Sequence, residues 1–237
     1  MGYSYYDYSY TTMDDLKRLA KKSTERLTKK GLILEPVHLV GNKIAKNWWG
    51  ISWIDNLEQY SDYSNRLPRG KKYLKSDCIL DLKIKKGRID AIVQGSSSKP
   101  YEVCVHIKVL NKEKIEDIVQ LCENRIESIE NLINGKFPDT LKEVFIGKNG
   151  LFPSPNEIEF DCSCPDYASL CKHVASVLYA IGAKFDTDPR LFFELRGIDV
   201  NQFIKKAVDN SIEKLLVEKN KSERVIAEED MDRLFGI

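Results

Sequence analysis

The chain has 237 residues, with 37 Lys and Arg against 36 Asp and Glu, three His and six Cys. That length suits one or two domains with a sizeable core, and an apolar share of 42% excludes global disorder. The net charge of +1 excludes binding to nucleic acid through overall basicity, while a local basic patch stays open. No apolar run approaches the roughly 18 residues of a membrane span. The opening Met1-Gly2-Tyr3-Ser4-Tyr5-Tyr6 has neither the basic and apolar regions of a secretory signal nor the Ser or Thr of a myristoylation signal. The expectation is a cytoplasmic protein with no membrane partner, whose cysteines serve metal, chemistry or burial rather than disulfides.

Residues 1–10 hold five tyrosines without helical period, a biased tail that could stack on bases. From Thr12 the pattern turns helical: Thr12 and Asp15 are spaced as a capping box, Leu16, Leu19, Ala20, Ser23 and Leu27 share a face, and Gly31 closes the helix. Residues 46–62 read as a second helix with Trp49, Trp53, Leu57 and Tyr60 on one apolar stripe and Trp48 projecting elsewhere. Three strands follow. Leu80, Leu82 and Ile84 alternate with charged residues, Lys86-Gly87 makes a turn, Ile89, Ala91 and Val93 form a second inward row, and Tyr101, Val103, Val105, Ile107 and Val109 a third. Cys104 and His106 fall on the opposite face. Asn111 caps a helix lined by Ile115, Ile118, Val119, Cys122, Ile126 and Ile129 and ended by Gly135. Residues 147–156, with two Gly and two Pro, form the strongest break in the chain.

The most informative stretch is Cys162-Ser-Cys164-Pro-Asp-Tyr-Ala-Ser-Leu-Cys171-Lys-His173, a C-x-C and a C-x-H separated by six residues. Three thiols and an imidazole in twelve positions suit tetrahedral zinc. Ile158, Phe160 and Cys162 alternate with Glu157, Glu159 and Asp161 as in a strand, and residues two apart on a strand share a face, so Cys162 and Cys164 can grip one ion. Pro165 ends the strand. Val174, Val177, Leu178 and Ile181 then follow helical spacing. Residues two apart within a helix diverge, which puts Cys171 at or just before the helix N-terminus and His173 in its first turn. A cluster of core cysteines and a redox Cys-x-Cys are the alternatives. Beyond it, Asp188 and Pro189 begin a short helix through Leu191, Phe192 and Leu195 to Gly197. Asp199 caps another with Phe203, Ile204, Ala207, Val208 and Leu215 on its face, before the terminal Leu234-Phe-Gly-Ile237.

The segment from Cys162 to Ala175 resembles the prokaryotic form of the SWIM-type zinc finger, C-x-C-x(n)-C-x-H. Trp48-Trp49-Gly50, Asn65-Arg66-Leu67-Pro68-Arg69-Gly70, Leu151-Phe152-Pro153-Ser154-Pro155 and Leu195-Arg196-Gly197 are similar to stretches of the same bacterial and archaeal proteins, so the likeness covers roughly residues 35–200. It implies Cys162, Cys164, Cys171 and His173 as zinc ligands. It also implies a role in DNA or protein interaction, often beside Swi/Snf-type DNA-dependent ATPases.

Four protein ligands close a zinc shell, which points to structural metal, and no P-loop, dinucleotide fingerprint, nucleophile elbow or zinc-protease motif occurs. The expectation is therefore a non-enzymatic accessory protein without a small-molecule substrate. Residues 66–88 carry nine Lys and Arg against two Asp, an excess of +7. Arg66, Arg69, Lys71, Lys72 and Lys75 around a Pro68–Gly70 turn, with Lys172 on the finger helix, are the candidate contacts to DNA or RNA phosphates. Lys184 and Arg190 lie on the same side. Glu157, Glu159, Asp161 and Asp166 should keep phosphate from the finger strand. A purely protein-binding adaptor is the alternative. The expected fold is α+β, an antiparallel strand meander with packed helices, a small strand–loop–helix zinc finger and C-terminal helices. The expected divisions are a tail and helix over 1–34, an α+β unit over 35–146, the finger over 147–185 and C-terminal helices over 186–237.

Overall fold

The computed structural model describes residues 11–58, 66–123, 142–147, 150–166, 168 and 170–202, and beyond them positions 205, 206, 209, 212, 213 and 216. The Tyr-rich tail, Tyr60, Asn65, the end of the helix expected to run to Gly135, and the expected Phe203, Ile204, Ala207, Val208, Leu215 and terminal segment lie outside these residues.

Helix α1 spans Met13–Lys29, and its start is the expected capping box: the Thr12 hydroxyl accepts from the Asp15 N–H while the Asp15 carboxylate accepts from Thr12. Helix α2 covers Trp48–Glu58 and helix α3 Arg66–Lys75. Strands β1 (Ile79–Lys85), β2 (Arg88–Val93) and β3 (Tyr101–Ile107) form the meander, followed by helix α4 (Lys112–Glu123), whose Lys114 N–H is capped by Asn111. A short helix α5 (Lys142–Ile146) and a 3-10 turn at Pro155–Glu157 lead to strand β4 (Ile158–Cys162). Helices α6 (Lys172–Thr187) and α7 (Arg190–Arg196) follow, and Asp199 caps a further helical stretch from Val200.

The sheet is antiparallel throughout, in the order β1-β2-β3-β4. The expected α+β meander is thus present, and the strand of the expected finger is its fourth member, with Val103 opposite Cys162 and Val105 opposite Phe160. Leu82, Ile89, Ala91, Val93, Val103, Val105 and Ile107 point inward to one core, as alternation dictates. Helix α6 crosses that face and is buried almost all round, from His173 to Gly182 and again at Phe185. A helix buried on every side belongs in the middle of a structure. Residues of β1–β3, α6 and α7 share a single apolar cluster and Ile158 and Phe160 of β4 pack against it, so among the described residues the finger's strand and helix have no core apart from that of the meander.

Three local expectations need correction. Residues 66–75 form helix α3, where a basic turn was expected. Pro68 falls in its first turn, where the missing N–H is not needed. Gly70 gives helix α6 room: a Cβ there would lie 2.6 Å from the Ala175 Cβ and 2.9 Å from backbone atoms of Ala175 and Ser176. Trp48 does not project away from the molecule; it is half-buried and stacks edge-on against Trp49 and Phe145. Val109 leaves the inward row because β3 ends at Ile107, and it is 39% exposed. One feature without a sequence signal is the cover on β1: residues 35–37 bond to its outer edge through Val37 N–H to Ile79 O and Leu82 N–H to Glu35 O.

Candidate metal centre

Strand β4 ends at Cys162, and the chain turns through Ser163, Cys164 and Pro165 before returning to the N-terminus of α6. Cys171 is the N-cap of that helix, in extended backbone, and its Sγ accepts the Val174 N–H at 3.4 Å. His173 stands in the first turn with Nδ1 3.8 Å from the Cys171 Sγ and 3.9 Å from the Cys162 Sγ. The donor atoms of Cys162, Cys164, Cys171 and His173 all lie within 4.8 Å of one another, and no other such group of three or more occurs among the described residues. Zinc bonds of about 2.3 Å to sulfur and 2.0–2.1 Å to nitrogen put the corners of a tetrahedron about 3.5–3.8 Å apart. The donors therefore need to close only slightly on an ion. Cys171 and His173 are buried, Cys162 and Cys164 half-buried.

The thiols share charge unequally. Cys171 is lowered well below the ordinary thiol value, first by the hydrogen bond from the Cys162 thiol and then by the His173 ring and the Val174 N–H. The same shared hydrogen bond, together with burial, raises Cys162, and burial raises Cys164. A bound divalent ion would take the place of those protons, and three thiolates and a neutral imidazole around Zn²⁺ would carry a formal charge of −1.

Two ion pairs tie this centre to distant parts of the chain. Asp166, in the knuckle after Cys164, accepts from Arg66 of α3 at 3.1 Å, with both side chains largely buried. Glu157, at the start of β4, accepts from Arg196 of α7 at 3.0 Å; the Arg196 side chain is wholly buried and also donates to Lys108 O at 2.6 Å. Ser154 completes the entry to β4, its N–H bonded to Glu157. The stretches Arg66–Gly70, Ser154-Pro155 and Leu195–Gly197 are thus supports of the finger. Opposite charges at Arg66 and Asp166, and at Glu157 and Arg196, were visible in the sequence, but nothing in their spacing pairs them.

The candidate nucleic-acid residues divide. Besides Arg66, Lys71 is engaged within the protein, 2.8 Å from the Glu58 carboxylate and over the Tyr179 ring, and Lys72 donates to Thr11 O. Arg69 and Lys75 are exposed on α3, and Lys172 is half-buried. Lys184 pairs with Glu35, and Arg190 with Asp188. Of the four acidic residues expected to repel phosphate, Glu157 and Asp166 are taken up by arginines, whereas Glu159 and Asp161 are exposed on the outer face of the sheet. Cys104 and His106 lie beside them, 3.2 Å apart, and do not assemble a metal-sized group. Cys78 is buried in the core, where burial pushes its thiol up to about 12.

No helix among the described residues is long and apolar enough to cross a membrane. An uncharacterized protein of Mycobacterium tuberculosis is 34% identical to the chain over 156 residues, which cover 65% of this chain and 56% of that one. The chain thus spans little more than half the length of this curated relative. No solved structure matches. Residues 143–182, from α5 through β4 and both ligand pairs into α6, match the SWIM zinc finger family. That segment is therefore similar to the SWIM zinc finger, and the fold gathers its Cys162, Cys164, Cys171 and His173 donors at one point.

Proposed function

We propose that the protein is a non-enzymatic accessory protein in which one zinc ion, held by Cys162, Cys164, Cys171 and His173, has a structural role. The observation that carries this reading is the closed donor set: four protein donors within 4.8 Å of one another fill a tetrahedral shell and leave no position for water or substrate. The test is metal content. The purified full chain should hold one zinc per molecule, and Cys171→Ser should hold none. A mutant that kept stoichiometric zinc would remove Cys171 from the ligand set.

The macromolecular contact we propose is to nucleic acid, through Arg69 and Lys75 of α3 and Lys172 of α6, as part of a larger nucleic-acid machine. Exposure of the first two and packing of α3 on α6 support it. The family resemblance suggests a Swi/Snf-type DNA-dependent ATPase as the protein partner. Three phosphate contacts would make duplex DNA affinity fall about fortyfold between 50 and 200 mM salt. Salt-independent binding would count against this contact. A second reading, a protein-binding adaptor without nucleic-acid contact, is favoured by the engagement of Arg66, Lys71 and Lys72 within the protein. A pull-down from native lysate separates the two: a partner retained after nuclease treatment favours the adaptor, and one lost with the nucleic acid favours direct contact.

A further inference from the structure

The two ring nitrogens of His173 have different surroundings. Nδ1 faces the sulfurs of Cys162 and Cys171. Nε2 is buried and has no hydrogen-bond partner among the described residues. None of these residues supplies the acceptor that commonly steadies a metal-bound imidazole. What meets the ring is a wall. The Tyr101 ring lies 4.5 Å away, tilted by 38°, and the Tyr73 ring 5.4 Å away at 74°. Beside Tyr101 comes the backbone of Gly95, at the start of the turn from β2 to β3. A Cβ on Gly95 would stand 3.0 Å from His173 Nε2 and 2.5 Å from Tyr101 Cε2.

Neither neighbour can easily withdraw. Tyr101 pairs with Val93 in the sheet, and its hydroxyl is 2.8 Å from Ser97 Oγ. The turn is pinned by Gln94, whose N–H bonds to Cys78 O and whose side-chain amide donates to Gly95 O and Ser97 O. Arg26 of α1 holds Ser98 O from outside. His173 itself is anchored in the first turn of a fully packed helix.

We propose that Gly95 is a positioning residue for the metal: with Tyr101 and Tyr73 it holds the His173 imidazole so that Nδ1 is the nitrogen offered to the ion. This rests on the zinc reading above. The wall does by close packing what an acceptor does elsewhere, restricting rotation of the ligand ring about its Cβ–Cγ bond. It has room for a glycine only, because any side chain at position 95 must displace either the ligand or Tyr101.

The test uses the full chain loaded with zinc and, in parallel, with cobalt. In the wild type, long-range proton–nitrogen NMR should show His173 metal-bound at Nδ1 with the proton on Nε2. Gly95→Ala should bind zinc at least about tenfold more weakly in chelator competition. Its cobalt spectrum should lose the three-sulfur, one-nitrogen pattern, while Ser96→Ala, at the exposed next position, matches the wild type in both. Coordination through Nε2 in the wild type would overturn the proposal without needing any variant to fold. So would a Gly95→Ala protein with wild-type zinc affinity and cobalt spectrum. A wild type that binds no zinc would overturn the zinc reading as well, so the two failures are told apart by the first measurement.

Discussion

Glu157 and Arg196 form the most fully enclosed ion pair among the described residues, and only the arginine is wholly withdrawn from water. A buried charge that loses its partner costs about 3–5 kcal/mol, so Glu157→Ala should lower unfolding stability by about that much, measured by urea denaturation of the zinc-loaded protein. The double variant with Arg196→Leu should recover part of the loss, because it removes the stranded charge. Burial works to raise the Glu157 carboxyl, but the Ser154 N–H and the Arg196 guanidinium outweigh it and hold the group below its ordinary 4.5. A lowered folded value means that stabilisation is complete above the ordinary carboxyl range and is lost as the pH falls through it. Stability should therefore drop more steeply below about pH 4.5 in the wild type than in Glu157→Gln.

At the scale of elements, the most extensive contact is between α3 and α6. Gly70 faces backbone atoms of Ala175 and Ser176, which cannot swing aside as a side chain would. Gly70→Ala must push the helices apart, and a cost of about 1–3 kcal/mol is expected, again by urea denaturation. Because Tyr73 of α3 also lies against the His173 ring, the same variant should weaken zinc binding. The strands and capped helices were legible in the sequence because alternation and caps are local signals: Thr12 with Asp15, Asn111, Asp199, and the rows of β1 to β3. Helix α3 was not. Pro68 and Gly70 are turn residues by local preference, and only their placement against α6 makes a helical first turn and a glycine contact of them.

Across the molecule, the candidate ligands stand at and just beyond the end of β4 and at the start of α6, and both elements pack into the one apolar cluster. Structural zinc contributes about 10–16 kcal/mol of apparent binding energy, comparable with the about 5–15 kcal/mol stability of a whole domain. Chelation should therefore unfold the sheet together with the finger rather than release the finger alone. Circular dichroism and tryptophan fluorescence should report one common transition on titration with a strong chelator. Trp53 is a fitting reporter, fully buried and bonded through its indole N–H to Leu178 O of α6. Separate transitions for the two probes would mean that the finger unfolds independently.

The candidate ligands and much of the local structure around them can be read from the chain alone. A C-x-C at a strand end and a C-x-H at a helix start are statements about short-range geometry, and short-range geometry is written in spacing and periodicity. The Cys171 N-cap and the first-turn His173 fell where helical divergence requires. Tertiary structure alone decided what surrounds those ligands. Charges as far apart in the chain as Arg66 and Asp166, or Glu157 and Arg196, become partners only when α3 and α7 pack beside the finger, and Gly95 meets His173 only because β3 brings the β2–β3 turn over α6. The basic segment changed for the same reason: a charge count is a property of the chain, but whether a lysine faces solvent or a glutamate is settled by the neighbours that folding supplies.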